Sequence, residues 1–458
     1  MTERFDAIVI GTGQAGPSLA ARMATEGWKV AVVEKGKFGG TCVNTGCTPT
    51  KTMVASARVA HMVRRAAAYG VLIEGSVTVD LDKVQDRKDG IVQEATNGVE
   101  NWMKETENIT VFEGHARFIE NHVVEVDGEQ LTADKIFINV GGRARVPTGY
   151  ERVPFLTNEE IMTLRTIPEH LLIVGGSYIG LEFGQMFRRF GSKVTIVEKN
   201  NRVVGREDPD VSAEILRFLE EEGVKFRLEA ECLDGIPHDR DQILINVDCE
   251  TGDRKVVGSH LLLAVGRLPN TDDLGLEHTG ISTDDKGFII VDDRLETHVK
   301  GIWAVGDCNG RGGFTHTSYN DHEIVLANLF DNDTRKISDR ILCYGLYTDP
   351  ALARIGMSEV EAKASGRSIL IGHRPMSRIA RAKEKGETHG FIKILVDANS
   401  HEILGATILG IEGDEIIHSL LDIMYAKAPY TVVSRAMHIH PTVSELIPTI
   451  LQNLQPLA

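Results

Sequence analysis

The chain has 458 residues, of which 42% are hydrophobic and 25% are charged, and its formal net charge is -16 at pH 7. This length exceeds what one hydrophobic core supports and predicts about three domains. The composition is typical of a soluble globular protein. Because the excess negative charge repels phosphate backbones and anionic lipid surfaces, neither nucleic acid nor a membrane is an expected partner.

The start of the chain, MTERFDAIVIGTG, lacks the cationic and apolar regions of a secretory signal, and we expect a cytoplasmic protein. The best apolar run, residues 171–181, is too short for a membrane span. Six cysteines are too few for disulfide bonds to stabilise a chain of this length. Only Cys42 and Cys47 are close in sequence, so any disulfide should be catalytic. Inert thiols are expected at the remaining positions, Cys232, Cys249, Cys308 and Cys343.

The first elements predicted along the chain are a strand, a glycine-rich turn and a helix. Residues 5–10 form an apolar run typical of a buried strand, and a helical pattern extends through Thr25. The turn between them contains Gly11, Gly13 and Gly16. The same order recurs 164 residues later (175 minus 11), where the turn contains Gly175 and Gly180 and the helical pattern extends through Phe190. The segments GWKVAVVEK and GSKVTIVEK agree at six of nine positions, which indicates an internal repeat.

Each repeat also carries an acidic residue 23 positions beyond its first glycine (34 minus 11, and 198 minus 175). Glu34 and Glu198 end a second strand, where a ribose hydroxyl of a dinucleotide would lie. The repeat therefore predicts two dinucleotide sites, which could hold two nicotinamides or a flavin and a nicotinamide. In the second copy Ser177 replaces the middle glycine, and we expect a local backbone adjustment there.

Residues 37–51, KFGGTCVNTGCTPTK, place Cys42 and Cys47 five positions apart. On a regular helix this spacing separates two side chains by about 140°. Gly46 and Pro49 are expected to interrupt the helix and let the sulfurs approach disulfide distance. A strained, reducible bond would suit a catalyst. The alternatives are two buried free thiols or half of a metal site, although no second pair of zinc ligands lies nearby in the sequence.

Near the C-terminus, the segment HPTVSE places His440 five residues before Glu445. An imidazole needs a second group to fix its tautomer, and a carboxylate does so. Such a pair can act as a general acid and base for a thiol near neutral pH. The alternative is a structural histidine, which is our expectation for His438.

Six segments carry a resemblance to a known family: GTGQAG, GGTCVNTGCTPTK, GGSYIGLEFG, AVGRLPN, GIWAVGDC and HIHPTVSE. The chain resembles, along essentially its whole length, the class I pyridine nucleotide-disulfide oxidoreductases, the family of glutathione reductase, lipoamide dehydrogenase and mercuric reductase. The resemblance implies an FAD site formed by Gly11, Gly13, Gly16, Glu34, Lys35, Gly40, Thr41, Lys51, Gly142 and Asp307. It implies an NADH or NADPH site formed by Gly175, Tyr178, Ile179, Gly180, Glu198 and Gly266. No metal site is predicted.

The resemblance also implies roles at the cysteine pair. Cys47 would lie against the flavin ring, and Cys42 would face the substrate as the interchange thiol. Lys51 would lie near the flavin and pair with Glu182, and Tyr178 would gate the nicotinamide pocket. His440 and Glu445 would face the cysteines of a partner subunit, which predicts a homodimer with shared active sites.

The substrate is less well defined by the sequence. The region around Cys42 resembles mercuric reductase-like members, but the terminal cysteine pair typical of mercuric reductases is missing, since the last cysteine is Cys343. We therefore expect an NAD(P)H-dependent reductase of a small disulfide, oxidised thiol or metal ion, with a role in redox homeostasis. Dihydrolipoamide dehydrogenase is the main alternative, and a redox sensor or metal-binding protein without turnover is another. Glu198 should repel a 2'-phosphate, which favours NADH, although Lys199 and Arg202 lie nearby.

The expected fold class is α/β, with two Rossmann-like domains and a C-terminal α+β dimerisation domain. The segments 139–142, 264–267 and 304–307 each place a glycine after a short apolar run, which suggests where the chain crosses between domains. The expected order is an FAD domain at 1–147, an NAD(P) domain at 148–271, a return to the FAD domain at 272–334 and an interface domain at 335–458. In the interface domain, strands are predicted at 391–396 and 403–409, and helices at 412–426 and 443–451.

Overall fold

A computed structural model describes residues 2–239, 242–249 and 253–457. The first sheet has seven strands in the order β3-β2-β1-β6-β5-β4, with a seventh strand, β17, beside β6. Strands β1 to β3, β6 and β17 pair in parallel, and the buried residues are concentrated in β1, β2, β6 and β17, whereas β3 has none. The strands of this sheet are β1 (Thr2–Ile10), β2 (Val30–Glu34), β3 (Ile109–Glu113), β4 (Ala116–Glu120), β5 (Val123–Val126), β6 (Glu129–Ile138) and β17 (Ile302–Ala304).

Helices pack around this first sheet and extend away from it. The predicted first helix is present as α1, and it ends at Thr25 as the sequence indicated. Asp80 caps the longest helix, α4, by accepting a hydrogen bond from the backbone N–H of Lys83. The helices are α1 (Gly16–Thr25), α2 (Gly40–Asn44), α3 (Cys47–Arg65), α4 (Leu81–Glu105) and α7 (Thr315–Phe330).

A second parallel sheet repeats the arrangement of the first, with the strand order β11-β10-β9-β15-β8. Its first helix, α5, ends at Phe190, where the repeat predicted the end of a helix. The elements are β8 (Phe155–Leu156), β9 (His170–Val174), α5 (Tyr178–Phe190), β10 (Lys193–Val197), α6 (Pro209–Glu221), β11 (Lys225–Arg227) and β15 (His260–Leu263). An antiparallel sheet of three strands packs beside it, formed by β12 (Ala230–His238), β13 (Gln242–Cys249) and β14 (Lys255–Gly258).

The two parallel sheets are joined by a ribbon of two short antiparallel strands, β7 (Gly142–Ala144) and β16 (Arg267–Pro269). Gly142 pairs with Pro269, and Ala144 pairs with Arg267. The chain therefore leaves the first sheet and returns to it along one path. Two of the three segments that the sequence suggested as crossings lie at this ribbon.

The C-terminal part of the chain forms an antiparallel sheet of six strands. Its strands are β18 (Cys343–Leu346), β19 (Ala351–Gly356), β20 (Ile369–Pro375), β21 (Phe391–Asp397), β22 (Ile403–Gly410) and β23 (Gln455–Pro456). The helices that pack against it are α8 (Glu359–Ala364), α9 (Ala380–Glu384), α10 (Gly413–Ile416), α11 (His418–Tyr425), α12 (Thr431–Ser434) and α13 (Ile447–Gln452). The single helix predicted at 412–426 is divided at Ile417 into two shorter helices.

This architecture is the mixed α/β fold expected from the sequence, with two dinucleotide-binding folds and a C-terminal α+β layer. None of the helices in the described ranges is both long and apolar enough to cross a membrane.

Candidate active site

The first glycine turn joins β1 to α1 and has no room for side chains. Gly11 has a φ of 101°, in the left-handed region that favours glycine. A methyl group on Gly16 would overlap the carbonyl oxygen of Gly11, and one on Gly40 would come within 2.8 Å of the Cα of Gly13. The backbone at the start of α1 therefore stays accessible to a closely approaching pyrophosphate group.

Glu34, at the end of β2, is fixed beside this turn by hydrogen bonds. Its Oε2 accepts from the backbone N–H of Thr12 at 2.8 Å and from the Thr12 hydroxyl at 2.6 Å. Its Oε1 accepts from the backbone N–H of Gly36 at 2.9 Å. This position suits a carboxylate that receives the ribose hydroxyls of a bound dinucleotide.

The second glycine turn, between β9 and α5, repeats these features. Gly175 has a φ of 112°, and a methyl group on Gly180 would overlap its carbonyl oxygen. Glu198 accepts hydrogen bonds from the backbone N–H groups of Gly176 at 2.8 Å and Asn200 at 2.9 Å. The internal repeat seen in the sequence is thus present in the hydrogen bonds of the two turns.

Ser177, which replaces the middle glycine of the second turn, has an ordinary extended backbone with φ -103° and ψ -169°. The space for its side chain comes from a neighbouring position. Asn139 beside the first turn and Ala264 beside the second turn occupy equivalent positions. The backbone N–H of each donates a 2.8 Å hydrogen bond to the last residue of the strand that precedes its turn. A methyl group on Gly13 would lie 3.4 Å from the Asn139 amide, whereas Ala264 ends at its Cβ. The serine is accommodated because its neighbour is small.

The other residues implied for the FAD site differ in their surroundings. Gly142 is buried, while Lys35 and Thr41 are exposed, and Lys35 lies 3.7 Å from Asp273. Asp307 lies in a 3-10 turn, Gly306–Asn309, and burial raises the pKa of its carboxyl group. Arg267 lies 3.7 Å from Asp307 and partly offsets that effect.

The residues implied for the nicotinamide site lie around the second turn. Tyr178 and Ile179 begin α5 and are half-buried, and Gly266 is exposed just before the ribbon strand β16. The glycine turns and their carboxylates therefore fit two dinucleotides, one at each parallel sheet.

The cysteine pair lies at a break between two helices, with Cys42 in α2 and Cys47 as the first residue of α3. Gly46 leaves the helical conformation with φ -132° and ψ -116°. A methyl group there would come within 2.8 Å of the Thr41 carbonyl oxygen, so the break depends on this glycine. Pro49, expected to interrupt the helix, lies instead in the first turn of α3, where its missing N–H would have no helical partner anyway.

The two cysteines are free thiols here, and their proton affinities are unequal. A hydrogen bond from Cys42 is the main cause that lowers the pKa of Cys47 to about 6. The same hydrogen bond, together with burial, raises the pKa of Cys42. The Thr315 hydroxyl, 3.2 Å from the Cys47 sulfur, and the Lys51 ammonium also lower the pKa of Cys47. Above about pH 6 the pair therefore consists of a Cys47 thiolate and a Cys42 thiol.

Lys51 and Glu182 form an ion pair beside the cysteines, with Nζ and Oε2 2.8 Å apart. Glu182 is buried, and its Oε1 accepts a hydrogen bond from the backbone N–H of Tyr347 at 2.9 Å. The Tyr347 ring centre lies 4.5 Å from the Lys51 ammonium. A residue of the C-terminal layer therefore contacts both members of the pair.

His440 and Glu445 are in contact, with Nδ1 and Oε2 2.8 Å apart. The His440 side chain is 77% exposed, whereas that of Glu445 is 13% exposed. The imidazole is therefore presented on the surface of its own chain. His438, expected to be structural, lies 3.0 Å from the Ser444 carbonyl oxygen.

Sequence reasoning missed two residues of this site, Thr315 and Tyr347. Thr315 is the first residue of α7 and is 268 positions from Cys47. Tyr347 lies on a third part of the chain, just after β18. Neither belongs to a motif that indicates its contact, since only the fold brings these segments together.

The fold and this site define a flavoprotein oxidoreductase with a dithiol centre. Residues 5–321 match the family described as pyridine nucleotide-disulphide oxidoreductase, and residues 343–450 match the dimerisation domain of that family. The chain belongs to this family. It is accordingly an enzyme of the flavoprotein disulfide oxidoreductase class that uses FAD and NAD(P)H, and its dimerisation domain indicates a homodimer.

Three relatives illustrate the range of the family. Probable pyridine nucleotide-disulfide oxidoreductase RclA of Escherichia coli (strain K12) is 35% identical over 452 residues, which cover 96% of this chain and 97% of that protein. Dihydrolipoyl dehydrogenase of Cupriavidus necator is 32% identical over 463 residues, with 98% and 97% covered. A mercuric reductase of Bacillus cereus is 28% identical over 445 residues, with 94% and 70% covered.

A solved structure of the Cu(II) complex of the HOCl-induced flavoprotein disulfide reductase RclA from Escherichia coli has a TM-score of 0.90 to this chain. The two are 33% identical, and 99% of each chain is covered.

Replacing Gly16 with alanine should weaken FAD binding at least about tenfold, because the added methyl group overlaps the Gly11 carbonyl oxygen and displaces the start of α1. The ratio of flavin to protein absorbance after gel filtration measures this loss. Gly90→Ala is the matched control, since a methyl group at Gly90 in α4 meets open space. Equal flavin retention by both variants would contradict the predicted role of the turn.

Replacing Thr315 with valine should raise the pKa of Cys47 by about one unit, since one hydrogen bond to the thiolate is lost. The wild-type thiolate forms as the pH rises through about 6, and in the variant it should form at higher pH. Ultraviolet thiolate absorbance of the reduced protein, followed against pH, reports the shift. Thr48→Val, beside Cys47, is the control, because Thr48 is not among the groups that shift this pKa. An unchanged titration in Thr315→Val would refute the assignment.

Proposed function

We propose that the chain is an FAD-dependent NADH oxidoreductase that reduces the Cys42–Cys47 disulfide and then a small disulfide, oxidised thiol or metal ion. The observation that carries this proposal is the unequal thiol pair at the start of α3, with its Thr315 and Lys51 contacts. Gly40, two residues before Cys42, lies against Gly13 of the first glycine turn. The thiols and the proposed FAD site are thus part of one local structure.

In the first half-reaction the disulfide gains two electrons and one proton, which gives a Cys42 thiol and a Cys47 thiolate. The FAD that the first glycine turn and Glu34 would hold would supply a two-electron carrier between the nicotinamide and the disulfide. The protein stabilises the product through groups already in place. Thr315 donates a hydrogen bond to the new thiolate, and the Lys51 ammonium adds a favourable charge.

In the second half-reaction Cys42 loses its proton and attacks a substrate disulfide, so that one substrate thiolate leaves and a mixed disulfide forms. The Cys47 thiolate then attacks the Cys42 sulfur, which restores the internal disulfide and releases the second substrate thiolate. We propose that His440 takes the proton from Cys42 and returns it to a leaving thiolate, with Glu445 orienting the imidazole. With Cu(II) as the acceptor, two ions would each take one electron from the thiol pair, which restores the disulfide and releases the Cys42 proton.

A shared active site is part of this proposal. His440 lies on the surface of its own chain, directly after two exposed apolar residues, Met437 at 98% and Ile439 at 78% exposure. Exposed apolar side chains around a polar pair are typical of a surface that is covered in an assembly. The second subunit of the homodimer would place this pair opposite Cys42.

The acceptor class is supported by the relatives and by this chain's cysteines. RclA is named a disulfide reductase and has been solved as a Cu(II) complex, so a disulfide and cupric ion are the first acceptors to test. Mercuric ion is a weaker candidate, because the last cysteine is Cys343.

In the described part of the chain, one group of three carboxylates is close enough together to hold a metal ion: Asp208, Asp210 and Glu359. The Lys393 ammonium lies within 3.2 Å of each, so a cation of the protein already pairs with all three carboxylates.

Dihydrolipoamide oxidation is the second candidate, since the dihydrolipoyl dehydrogenase of Cupriavidus necator is 32% identical over 98% of this chain. It would use the same relay in the opposite direction.

We place either activity in the cytoplasm, where thiol substrates are kept reduced. We also retain the domain boundaries near residues 147, 271 and 334 as part of the proposal, and the β7–β16 ribbon supports the first two.

The acceptor is identified by reducing the enzyme anaerobically with NADH and offering lipoamide, glutathione disulfide, hypothiocyanite, Hg(II) and Cu(II) in turn. Cys42→Ser should keep NADH-dependent flavin bleaching and lose turnover by roughly a thousandfold, because the interchange nucleophile is gone. Cys343→Ser should turn over like the wild type and serves as the control. Full turnover by Cys42→Ser would refute the relay, and rapid NAD+ reduction by dihydrolipoamide would favour the second candidate.

Glu198 should make the enzyme prefer NADH, because its carboxylate occupies the place that a 2'-phosphate would approach. Glu198→Gln removes the repulsion and should improve kcat/KM for NADPH about tenfold, with a smaller change for NADH. Steady-state rates with both nucleotides measure the preference. A wild-type enzyme that favours NADPH would refute this assignment.

A further inference from the structure

A buried carboxylate, Glu207, lies at the junction between the second parallel sheet and the C-terminal layer. It is 1% exposed and lies in the segment between β10 and α6. That segment is tied to the second glycine turn, because Val204 donates its backbone N–H to the Gly176 carbonyl oxygen at 2.9 Å. Glu207 is therefore positioned close to the nicotinamide site without belonging to either glycine motif.

Two residues of the C-terminal layer hold Glu207. Its Oε2 accepts a hydrogen bond from Nη1 of Arg354 in β19 at 2.8 Å, and the Arg354 side chain is 2% exposed. Its Oε1 accepts from the hydroxyl of Tyr344 in β18 at 2.6 Å. A charge buried this deeply needs partners of this kind, so the carboxylate has little freedom to move.

The same Oε1 also accepts a longer hydrogen bond, 3.3 Å, from the hydroxyl of Tyr178 at the start of α5. Burial first, and then the Glu207 charge, raise the pKa values of Tyr178 and Tyr344, so both phenols keep their protons and can donate. The Tyr178 ring also lies against Phe314 and Tyr344, with ring centres 6.1 and 5.8 Å apart. Tyr178 is thus in contact with the C-terminal layer through the Tyr344 ring and, indirectly, through Glu207.

We propose that Glu207, fixed by Arg354, is a latch that holds Tyr178 over the nicotinamide pocket and thereby sets the affinity for NADH, and that the Tyr344 hydroxyl weakens this latch by competing for the same Glu207 oxygen. This inference rests on the proposed function, in which NADH enters past Tyr178. Glu207, Arg354 and Tyr344 are positioning residues, because they act through Tyr178. The C-terminal layer would then control nucleotide entry as well as subunit contact.

The latch lowers apparent affinity because NADH binds only the fraction of molecules in which Tyr178 has moved away. The two phenols have opposite effects on that fraction. Removing the Tyr178 hydroxyl releases the ring and should lower the apparent Kd for NADH roughly three- to tenfold. Removing the Tyr344 hydroxyl leaves Glu207 Oε1 to Tyr178 alone, which strengthens the latch and should raise the Kd by a similar factor.

The test uses Tyr178→Phe, Tyr344→Phe and the double variant as FAD-loaded enzymes, because substitution of Glu207 would remove one of the two buried carboxylates that pair with Arg354. Stopped-flow flavin bleaching against NADH concentration gives the apparent Kd, and equilibrium binding of tetrahydro-NAD, which cannot donate a hydride, gives a second value. The double variant should match Tyr178→Phe, since Tyr344 acts only through the latch. Tyr69→Phe is the control. It also removes a phenol hydroxyl, which donates a hydrogen bond to the Lys385 carbonyl oxygen and to none of the latch residues.

Opposite shifts for the two single variants support the latch. Shifts in the same direction, or a Kd for Tyr344→Phe equal to that of the wild type, would overturn it. Failure of the proposed NADH oxidation, on which the latch rests, looks different, because wild-type flavin would then not be bleached by NADH at all.

Discussion

The hydrogen bond between the two thiols is the interaction on which the site depends. It forms because the chain leaves the helical conformation at Gly46, which brings a residue of α2 beside the first residue of α3. The bond divides the proton affinity unequally, so that Cys47 becomes a thiolate near pH 6 while Cys42 keeps its proton. One structural break therefore creates both the proximity and the chemical difference that two-step electron transfer requires.

The C-terminal layer contributes more than subunit contact to this arrangement. The backbone N–H of Tyr347 holds Glu182, and the Tyr347 ring covers Lys51. Tyr344 in β18 and Arg354 in β19, two strands of the same layer, donate hydrogen bonds to Glu207 near the nicotinamide site. The layer thus contacts the surroundings of both the thiols and the nucleotide, so its docking against the parallel sheets would affect the two half-reactions together.

Much of the fold could be predicted from the sequence because it depends on local patterns. The ends of α1 and α5 followed from the repeat, and Glu34 and Glu198 followed from their spacing to the glycines. What could not be predicted depends on contacts between distant segments. The space around Ser177 is decided by Ala264, and Thr315 approaches Cys47 across 268 residues. No spacing rule connects such positions.

The buried charges explain why these distant contacts are well defined. Glu207, Asp208, Arg354 and Lys393 have side chains no more than 2% exposed, and each lies in an ion pair across the junction. An unpaired charge at such depth costs several kcal/mol, whereas an apolar contact tolerates a shift of a few tenths of an ångström. Charge pairing therefore fixes the position of the C-terminal layer relative to the second parallel sheet. That fixed position is needed if the Tyr344 ring is to contact the Tyr178 ring and the Tyr347 ring is to lie over the Lys51 ammonium.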